Sequence, residues 1–286
     1  MITSNLFYTE DTTSAKPFLR WAGGKSWLLK HFDNLFPALK YSNYHEPFLG
    51  SAALFFHLRN EKYSYLSDLN SELIETYLAV KEDVERVIVE LKKFTNSKDD
   101  YYKIRDAKFR SDFKSAARFI YLNQTSFNGI YRVNLNGVYN VPYGFRSKNF
   151  FEPENLRIVS SRLQNSIINN SDFDLIKTNL KKGDLVFLDP PYTVTHNNNG
   201  FIKYNQKLFS LDDQYRLSSL IDFIQKKQAY YILTNAAHSK VEEIFEKGHD
   251  KIILKRASLI GGLNAKRGYY SEVIFSNLKC KLNGSY

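Results

Sequence analysis

Cysteine is almost absent from this sequence, and its scarcity excludes two kinds of structural site. Cys280 is the one cysteine among 286 residues, so the chain holds neither an internal disulfide nor a cysteine-based zinc site. The first residues lack a basic start followed by an apolar run, and no apolar stretch approaches the roughly 20 residues of a membrane span. We therefore expect a soluble, cytoplasmic protein without a signal peptide or a membrane partner.

Acidic residues are outnumbered by basic ones, which bears on the kind of partner. Thirty Asp and Glu against 40 Lys and Arg give a formal net charge of +10. This excess favours a polyanionic partner, because Lys and Arg that neutralise phosphates release counterions, although it also serves surface solubility. With 43% hydrophobic residues, the chain can bury a sizeable core, and its length fits one large α/β domain or a catalytic domain with one insertion.

Two strand–turn–helix units in the first third of the chain indicate the fold class. After a glycine turn and an amphipathic helix within residues 17–36, a strand ends near His45–Glu46, turns through Gly50 and enters a helix. A second strand ends at Asp68 and leads into a helical stretch over residues 71–94. Such repeated units predict an α/β fold with a parallel sheet of nucleotide-binding type.

The composition changes between residues 96 and 165, which we interpret as an inserted domain. This segment is rich in aromatic, basic and Asn residues and contains a helix-like stretch, residues 115–124. Asn136-Gly137 between two β-prone arms predicts a hairpin. The remaining sheet signals follow the insertion: strands near residues 166–170, 184–188 and 229–235, a helix over 214–227, and a terminal strand pair within 251–278. Residues 1–95 and 166–286 would then form the main domain.

Asp189-Pro190-Pro191-Tyr192 follows an apolar strand, and ligands bind at such strand ends in sheets of this type. Two prolines fix the backbone and remove two amide donors, which leaves carbonyls as acceptors. The exocyclic amine of adenine is a poor nucleophile, because its lone pair is delocalised into the ring. Asp189 and the Pro190 carbonyl could each accept one of its N–H bonds and free that lone pair, while Tyr192 stacks on a base swung out of the duplex. The reaction would need no metal; the plain alternative is a turn that closes a strand.

Three other segments are candidates for a cofactor site. The stretch Glu46–Ala52 contains small residues where a strand meets its helix, and these let the backbone approach a ligand closely. Asp68 lies at the end of the next strand, where a carboxylate accepts hydrogen bonds from a ribose. Asp172-Phe173 pairs a carboxylate with a ring and suits an adenine. Each of the three is also compatible with ordinary loop chemistry.

Six motifs occur in one order along the chain: WAGGK from Trp21, EPFLGSA from Glu46, SDLN from Ser67, YLNQTSFNGIYRVN with NVPYG from Tyr121, SDF from Ser171 and DPPY from Asp189. This series, over residues 17–277, resembles the Dam-type family of adenine-N6 DNA methyltransferases (D12 class, alpha group). The resemblance implies a Rossmann-like S-adenosylmethionine-dependent methyltransferase sheet of seven strands. It also implies that residues 96–165 are a mostly helical target-recognition domain bearing a β-hairpin.

The resemblance implies a role for each matching residue. Contacts to S-adenosylmethionine would come from Trp21, Ala22, Lys25, Glu46, Phe48, Gly50, Asp68, Asp172, Phe173 and Asp189. In this set Lys25 would lie near the cofactor's carboxylate, Asp68 at its ribose, and Asp172 with Phe173 at its adenine. The tetrapeptide that begins at Asp189 would act on the target base.

DNA contacts are implied at two places. Phe127, Asn128 and Arg132 match the hairpin positions that enter the DNA in this family, and Arg suits bidentate reading of guanine. Phe127 or Ile130 could wedge into the base stack; the alternative is that both belong to the hairpin core. Near the carboxyl end lies a basic cluster that either contacts DNA phosphates or is ordinary surface charge: Arg256, Lys266 and Arg267.

The segment that follows Tyr192, residues 193–210, departs from the family's familiar members. His196 could contact DNA or belong to a solvated polar loop. Tyr204 and Phe209 could shape a lid over the target base, or the loop could be static.

The sequence therefore predicts a site-specific enzyme that flips an adenine out of double-stranded DNA and methylates N6 directly, without a covalent enzyme intermediate. The alternatives are N4-cytosine methylation, adenine methylation of RNA, and a catalytically silent DNA-binding subunit. The resemblance allows a separately encoded restriction endonuclease as a partner and a prokaryotic or phage origin. The recognition sequence stays open, with GATC common in the family.

Overall fold

The computed structural model describes residues 14–37, 39–58, 62–134, 136–146, 149–192, 209–257 and 269–280. The strands in these ranges are β1 (Tyr44–Glu46), β2 (Ser64–Asp68), β3 (Ser166–Asn170), β4 (Leu185–Leu188), β5 (Tyr230–Ala236), β6 (Asp250–Ala257) and β7 (Tyr269–Ser276). The helices are α1 (Ser26–Leu35), α2 (Ala53–His57), α3 (Ser71–Glu82), α4 (Val84–Leu91), α5 (Lys98–Asp106), α6 (Asp112–Thr125), α7 (Pro153–Leu163), α8 (Leu211–Lys226) and α9 (Ser239–Phe245). Within the described ranges, no helix has both the length and the apolar character needed to cross a bilayer.

The seven strands form one mixed sheet in the order β3-β2-β1-β4-β5-β7-β6. Strands β3, β2, β1, β4 and β5 run parallel, and β7 inserts antiparallel between β5 and β6. The predicted α/β class and the seven-stranded Rossmann-like sheet are confirmed. Because the five parallel strands end at the same edge, the residues that follow β1, β2 and β4 are brought together there.

The central strands are buried on both faces, as their continuous apolar composition predicts. Leu185 and Phe187 of β4 join the apolar core on one side of the sheet, and Val186 and Leu188 join the core on the other side. This alternation follows from the two-residue period of a β-strand. Helices α8 and α9 supply the second core, which also receives Tyr231 from β5.

The helical stretch predicted over residues 71–94 is two helices rather than one. Asp83 separates α3 from α4 with a non-helical backbone (φ −150°, ψ 86°), and its side chain accepts a hydrogen bond from the Arg86 amide. A short acidic side chain in this position satisfies an amide donor that a helix start leaves open. The predicted helical stretch did not mark this break, because the apolar pattern runs through the cap.

The predicted insertion consists largely of helices and packs directly on the main domain. Helix α6 contacts α3 and α4, and α7 lies against the same two helices before the chain enters β3. The predicted hairpin is present but short: Val133 pairs with Tyr139 in a single antiparallel bridge. Its turn is closed by the Gly137 amide, which donates to the Asn134 carbonyl at 3.0 Å.

Candidate active site

Asp189 lies directly after β4, at the edge where the parallel strands end. Its Oδ1 atom accepts a hydrogen bond from the Thr234 hydroxyl of β5 at 2.7 Å. The same oxygen lies 2.7 Å from the Lys25 ammonium. The carboxylate keeps 17% of its side-chain surface exposed, so it is held from the protein side and open to a ligand on the other.

Lys25 precedes α1 and is buried, with 3% of its surface exposed. Besides Asp189, its Nζ donates to the Gly23 carbonyl at 2.7 Å, across the glycine turn that the sequence indicated. A buried ammonium is costly unless it is paired, so this ion pair explains why Lys25 is tolerated there. Lys25 thus contacts Asp189, the candidate catalytic residue, and the sequence did not predict this contact.

Opposing influences act on the Asp189 carboxyl. Burial raises the pKa of Asp189, and the negative charge of Glu272 raises it further. Lys25 and the Thr234 hydroxyl lower the pKa of the same carboxyl, because both stabilise its charged form. The balance leaves the pKa of Asp189 above the ordinary value of an aspartate.

Glu272 of β7 is a further member of this site that sequence reasoning missed. It is buried, and its Oε2 atom accepts a hydrogen bond from the Tyr192 hydroxyl at 2.7 Å. The Lys25 ammonium lies 3.9 Å from Oε2 and 5.0 Å from the centre of the Tyr192 ring. A glutamate inside the apolar segment YSEVIFS was the available signal, since ionisable groups rarely occupy buried strand positions without a partner.

The turn between β1 and α2 requires glycine at position 50. Gly50 has φ +47°, and a Cβ atom there would lie 2.7 Å from Cδ1 of Trp21. The Gly50 amide donates to Oδ2 of Asp68 at 3.1 Å, and its carbonyl accepts from the Tyr77 hydroxyl at 3.0 Å. Trp21 also stacks on Tyr131, at 5.7 Å between ring centres and 22° between planes. The turn thus joins the amino-terminal motif, the end of β2 and the hairpin region.

Carboxyl groups follow the ends of neighbouring strands at this edge. Asp68 ends β2 and also accepts a hydrogen bond from the Asn70 amide at 3.0 Å; burial raises its pKa. Glu46 ends β1, where burial raises its pKa well above the ordinary value, and the Tyr44 hydroxyl donates to it at 3.0 Å. With Asp189 at the end of β4, three acidic side chains line one edge of the sheet.

Asp172 and Phe173 lie after β3 and are already in contact with other protein groups. Phe173 is buried and stacks on Phe48 at 5.4 Å between ring centres, with Phe209 beside both. The Arg216 guanidinium lies 4.6 Å from the centre of the Phe173 ring and 2.7 Å from Oδ1 of Asp172. A ligand at this place would share these two side chains with Arg216.

The hairpin candidates lie on the surface. Phe127 is 52% exposed, so the alternative that it belongs to the hairpin core is wrong; Ile130 is half-buried. Asn128 is exposed with φ +56°. The exposed Arg132 side chain donates from Nε to Oδ1 of Asn140 at 2.9 Å, which restrains the guanidinium.

Several predicted residues lie partly or wholly outside the described part of the chain. Arg256 belongs to β6 by its backbone, but its side chain is not among the described ones. The wholly undescribed candidates are His196, Tyr204, Lys266 and Arg267. Phe209, proposed for a lid, is buried against Phe48 and Phe173.

Comparison with known proteins gives concordant matches. Residues 21–258 match the family described as D12 class N6 adenine-specific DNA methyltransferase. The chain is 35% identical to Type II methyltransferase M.MjaIII of Methanocaldococcus jannaschii, over 91% of this chain and 99% of that protein. It is 34% identical to Type II methyltransferase M1.LlaDCHI of Lactococcus lactis subsp. cremoris, over 92% and 95% of the two chains. It is 31% identical to a DNA adenine methylase of Haemophilus influenzae, over 85% and 87%. The family match spans every described residue of this site except Glu272, which follows position 258.

Proposed function

Because this chain belongs to the family of D12 class N6 adenine-specific DNA methyltransferases, we propose that it transfers a methyl group from S-adenosylmethionine to N6 of an adenine in double-stranded DNA. The observation that carries this proposal is the Asp189 carboxylate at the end of β4, fixed by Lys25 and Thr234 and followed by Pro190 and Tyr192.

The target amine is held by two acceptors. Lys25 and Thr234 both bind Oδ1 of Asp189, and we assign the other oxygen, Oδ2, to one N–H of the adenine amine. The Pro190 carbonyl accepts the second N–H, so the nitrogen becomes pyramidal and its lone pair is free to attack in line. Tyr192 stacks on the base, which is flipped out of the duplex because its amine is unreachable inside the stack. Once it carries the methyl group, the nitrogen loses one proton to solvent water.

The strand edge offers carboxyl groups to the cofactor. When bound, S-adenosylmethionine would supply the methyl group from a positively charged sulfur and leave as neutral S-adenosylhomocysteine. Glu46, Asp68 and Asp189 line this edge with carboxyl groups that can accept hydrogen bonds from the amino and hydroxyl groups of the cofactor. Gly50 allows close approach of the backbone, since the atom it lacks would meet the Trp21 ring. These residues fit the cofactor, and Lys25 contributes the nearby positive charge.

The remaining cofactor contacts follow the ends of β2 and β3. We assign the ribose to Asp68, and the adenine to Asp172 and Phe173. Arg216 binds Oδ1 of Asp172, so the adenine amine would be held by the other carboxylate oxygen. Trp21, Ala22 and Phe48 would complete the pocket around the turn.

DNA binding is assigned to the exposed hairpin region and to the basic residues near the carboxyl end. Phe127 and Asn128 project from the turn after α6, and Arg132 is held by Asn140 on the hairpin. An exposed aromatic ring can insert beside a base, and an exposed guanidinium can hydrogen-bond to a base edge. Arg256, Lys266 and Arg267 would add phosphate contacts, in keeping with the net charge of +10.

The test is methyl transfer to mixed-sequence duplex DNA by the wild type, Asp189→Asn and Asp222→Asn. Asp189→Asn keeps the side-chain shape but removes the charge that favours the attacking amine. Asp222 is a matched control, because it is 58% exposed and pairs with Lys247 on α8's outer surface. We expect Asp222→Asn to retain wild-type activity and Asp189→Asn to lose at least about a hundredfold in rate.

The products are digested to nucleosides and separated, so that the methylated base is identified. N6-methyladenine alone is the expected result, and mapping it in a methylation-deficient bacterium gives the recognition sequence. N4-methylcytosine, or a preference for single-stranded RNA, would replace the proposed substrate. A wild type that binds S-adenosylmethionine and duplex DNA but methylates neither base would indicate a silent DNA-binding subunit.

A further inference from the structure

Glu272 is a carboxylate in an apolar, buried strand. The three residues that follow it in β7, Val273, Ile274 and Phe275, are all buried. In the sheet register, Glu272 lies opposite Ala236 of β5 and Leu254 of β6, neither of which offers a polar side chain. Burying a carboxylate is unfavourable unless partners compensate for the lost water, so its partners indicate what it does.

Those partners belong to the proposed reaction centre. The Tyr192 hydroxyl donates to Oε2 of Glu272 at 2.7 Å. Lys25 is 3.9 Å from the same oxygen, and it binds Oδ1 of Asp189 at 2.7 Å. Segments from the start of α1, the end of β4 and the middle of β7 therefore meet at a single cluster of charges.

The hydrogen bond acts at the far end of the Tyr192 ring. A tyrosine side chain has two torsion angles. Fixing the hydroxyl oxygen restricts χ1, and because the phenolic O–H prefers to lie in the ring plane, the direction of its hydrogen bond restricts rotation about χ2. A hydrogen bond to a charged carboxylate is about twice as strong as a neutral one, and 2.7 Å is an ordinary distance between a hydroxyl donor and an oxygen acceptor. Glu272 thus determines the plane in which the Tyr192 ring lies beside Asp189.

We propose that Glu272 is a positioning residue for methyl transfer: by binding the Tyr192 hydroxyl, it fixes the ring on which the target base stacks. This inference rests on the proposed role of Tyr192 in the reaction. A flipped base that stacks on a misplaced ring brings its amine out of reach of Asp189 and the Pro190 carbonyl, and small misplacements lower the rate steeply. The proposal predicts an effect on kcat with little change in cofactor affinity.

A competing role is that Glu272 only balances the charge of Lys25. Three variants separate the two roles. Glu272→Gln keeps an oxygen acceptor for Tyr192 but removes the charge, whereas Glu272→Ala removes both. Tyr192→Phe keeps the stacking ring and Glu272 but removes the hydroxyl that joins them.

Steady-state methylation of duplex DNA is measured for these variants and for the double variant Tyr192→Phe/Glu272→Ala. We expect Glu272→Ala and Tyr192→Phe each to lower kcat about tenfold, with the KM for S-adenosylmethionine unchanged within about twofold. Glu272→Gln should recover most of the rate. The double variant should be no slower than either single one, because both break the same hydrogen bond.

Several results would overturn the positioning role. Equal losses for Glu272→Gln and Glu272→Ala, or additive losses in the double variant, would assign Glu272 to charge balance instead. If the wild type is active and Tyr192→Phe keeps full kcat, the positioning role is also excluded. Thermal unfolding shows whether Glu272→Ala is folded. If it is not, the comparison of Tyr192→Phe with the wild type still decides the question. If the wild type methylates no DNA, the proposed function itself is wrong. If the wild type is active but these substitutions leave its rate unchanged, only the positioning role is wrong.

Discussion

At the scale of single residues, the proposed role of Asp189 predicts that its ion pair with Lys25 affects the pH range of the reaction. In that role the charged carboxylate is the better acceptor for the target amine, so activity should be lost as pH falls through the pKa of this carboxyl. Lys25 lowers that pKa, although burial keeps it above the ordinary value. Replacing Lys25 with methionine removes the lowering effect and raises the pKa of Asp189 further.

We therefore expect Lys25→Met to shift the acid limb of the pH profile of kcat/KM toward higher pH, since a larger fraction of Asp189 is protonated at any given pH. Lys247→Met is the control, because Lys247 is 21% exposed and pairs with Asp222 away from the site. The profile of the control should coincide with that of the wild type. An acid limb that does not move in Lys25→Met would mean that Asp189 does not govern it.

How far the site could be predicted depends on where each residue lies in the sequence. Asp189 and Asp68 follow apolar strands directly, so local patterns located both at the correct edge of the sheet. Thr234 and Glu272 lie inside strands and gain their meaning only from neighbours 45 and 80 residues away. A local pattern carries no information about such pairings, because they depend on the order of strands in the sheet.

At the scale of elements, the turn from β1 to α2 gives a prediction that separates backbone strain from loss of the cofactor site. Gly50 has φ +47°, and its missing Cβ would lie 2.7 Å from the Trp21 ring. Gly50→Ala should cost about 1–2 kcal/mol of stability from the left-handed backbone alone. It should also displace the indole and weaken S-adenosylmethionine binding at least about tenfold.

Gly248→Ala is the matched control, since Gly248 has φ +71° but no atom lies within 4 Å of the added Cβ. Thermal unfolding and calorimetric titration with the cofactor report the two effects separately. Gly248→Ala should lose only the stability due to the left-handed backbone, Gly50→Ala should lose at least as much, and Gly50→Ala alone should lose affinity. Equal affinities for the two variants would show that the contact between Gly50 and Trp21 is unrelated to cofactor binding.

The elements themselves were largely predictable, and the exception has a physical cause. Strand–turn–helix order and the apolar run of β4 located the parallel strands, because burial on both faces leaves a continuous apolar segment. The break at Asp83 was missed, since an aspartate inside a charged, helix-forming stretch serves equally as a surface residue or as a cap. Tyr131, just before the hairpin bridge, likewise packs against Phe119 of α6, a contact that no local pattern encodes.

At the scale of the whole molecule, the proposed DNA binding would draw on an excess of positive charge and on one restrained arginine in different ways. The net charge of +10 predicts that affinity for any duplex falls linearly, on logarithmic axes, with rising salt concentration. Arg132 differs from the general surface charge because its Nε donates to Oδ1 of Asn140 at 2.9 Å, which restrains the guanidinium. A guanidinium restrained in this way is suited to a base edge, where bidentate geometry matters.

We expect Arg132→Ala to weaken binding to the recognition sequence by about 1–3 kcal/mol and to relax the choice of base at one position. The slope of log affinity against log salt concentration should stay the same. Arg157→Ala removes the same charge on α7, where Arg157 pairs with Glu85 and Glu154, and should leave the specificity unchanged. Titrations of cognate and unrelated duplexes at several salt concentrations measure both quantities. If Arg132→Ala instead weakens binding to every duplex alike and lowers the salt slope by about 1, its contact is with a phosphate, and sequence recognition must come from elsewhere in the hairpin.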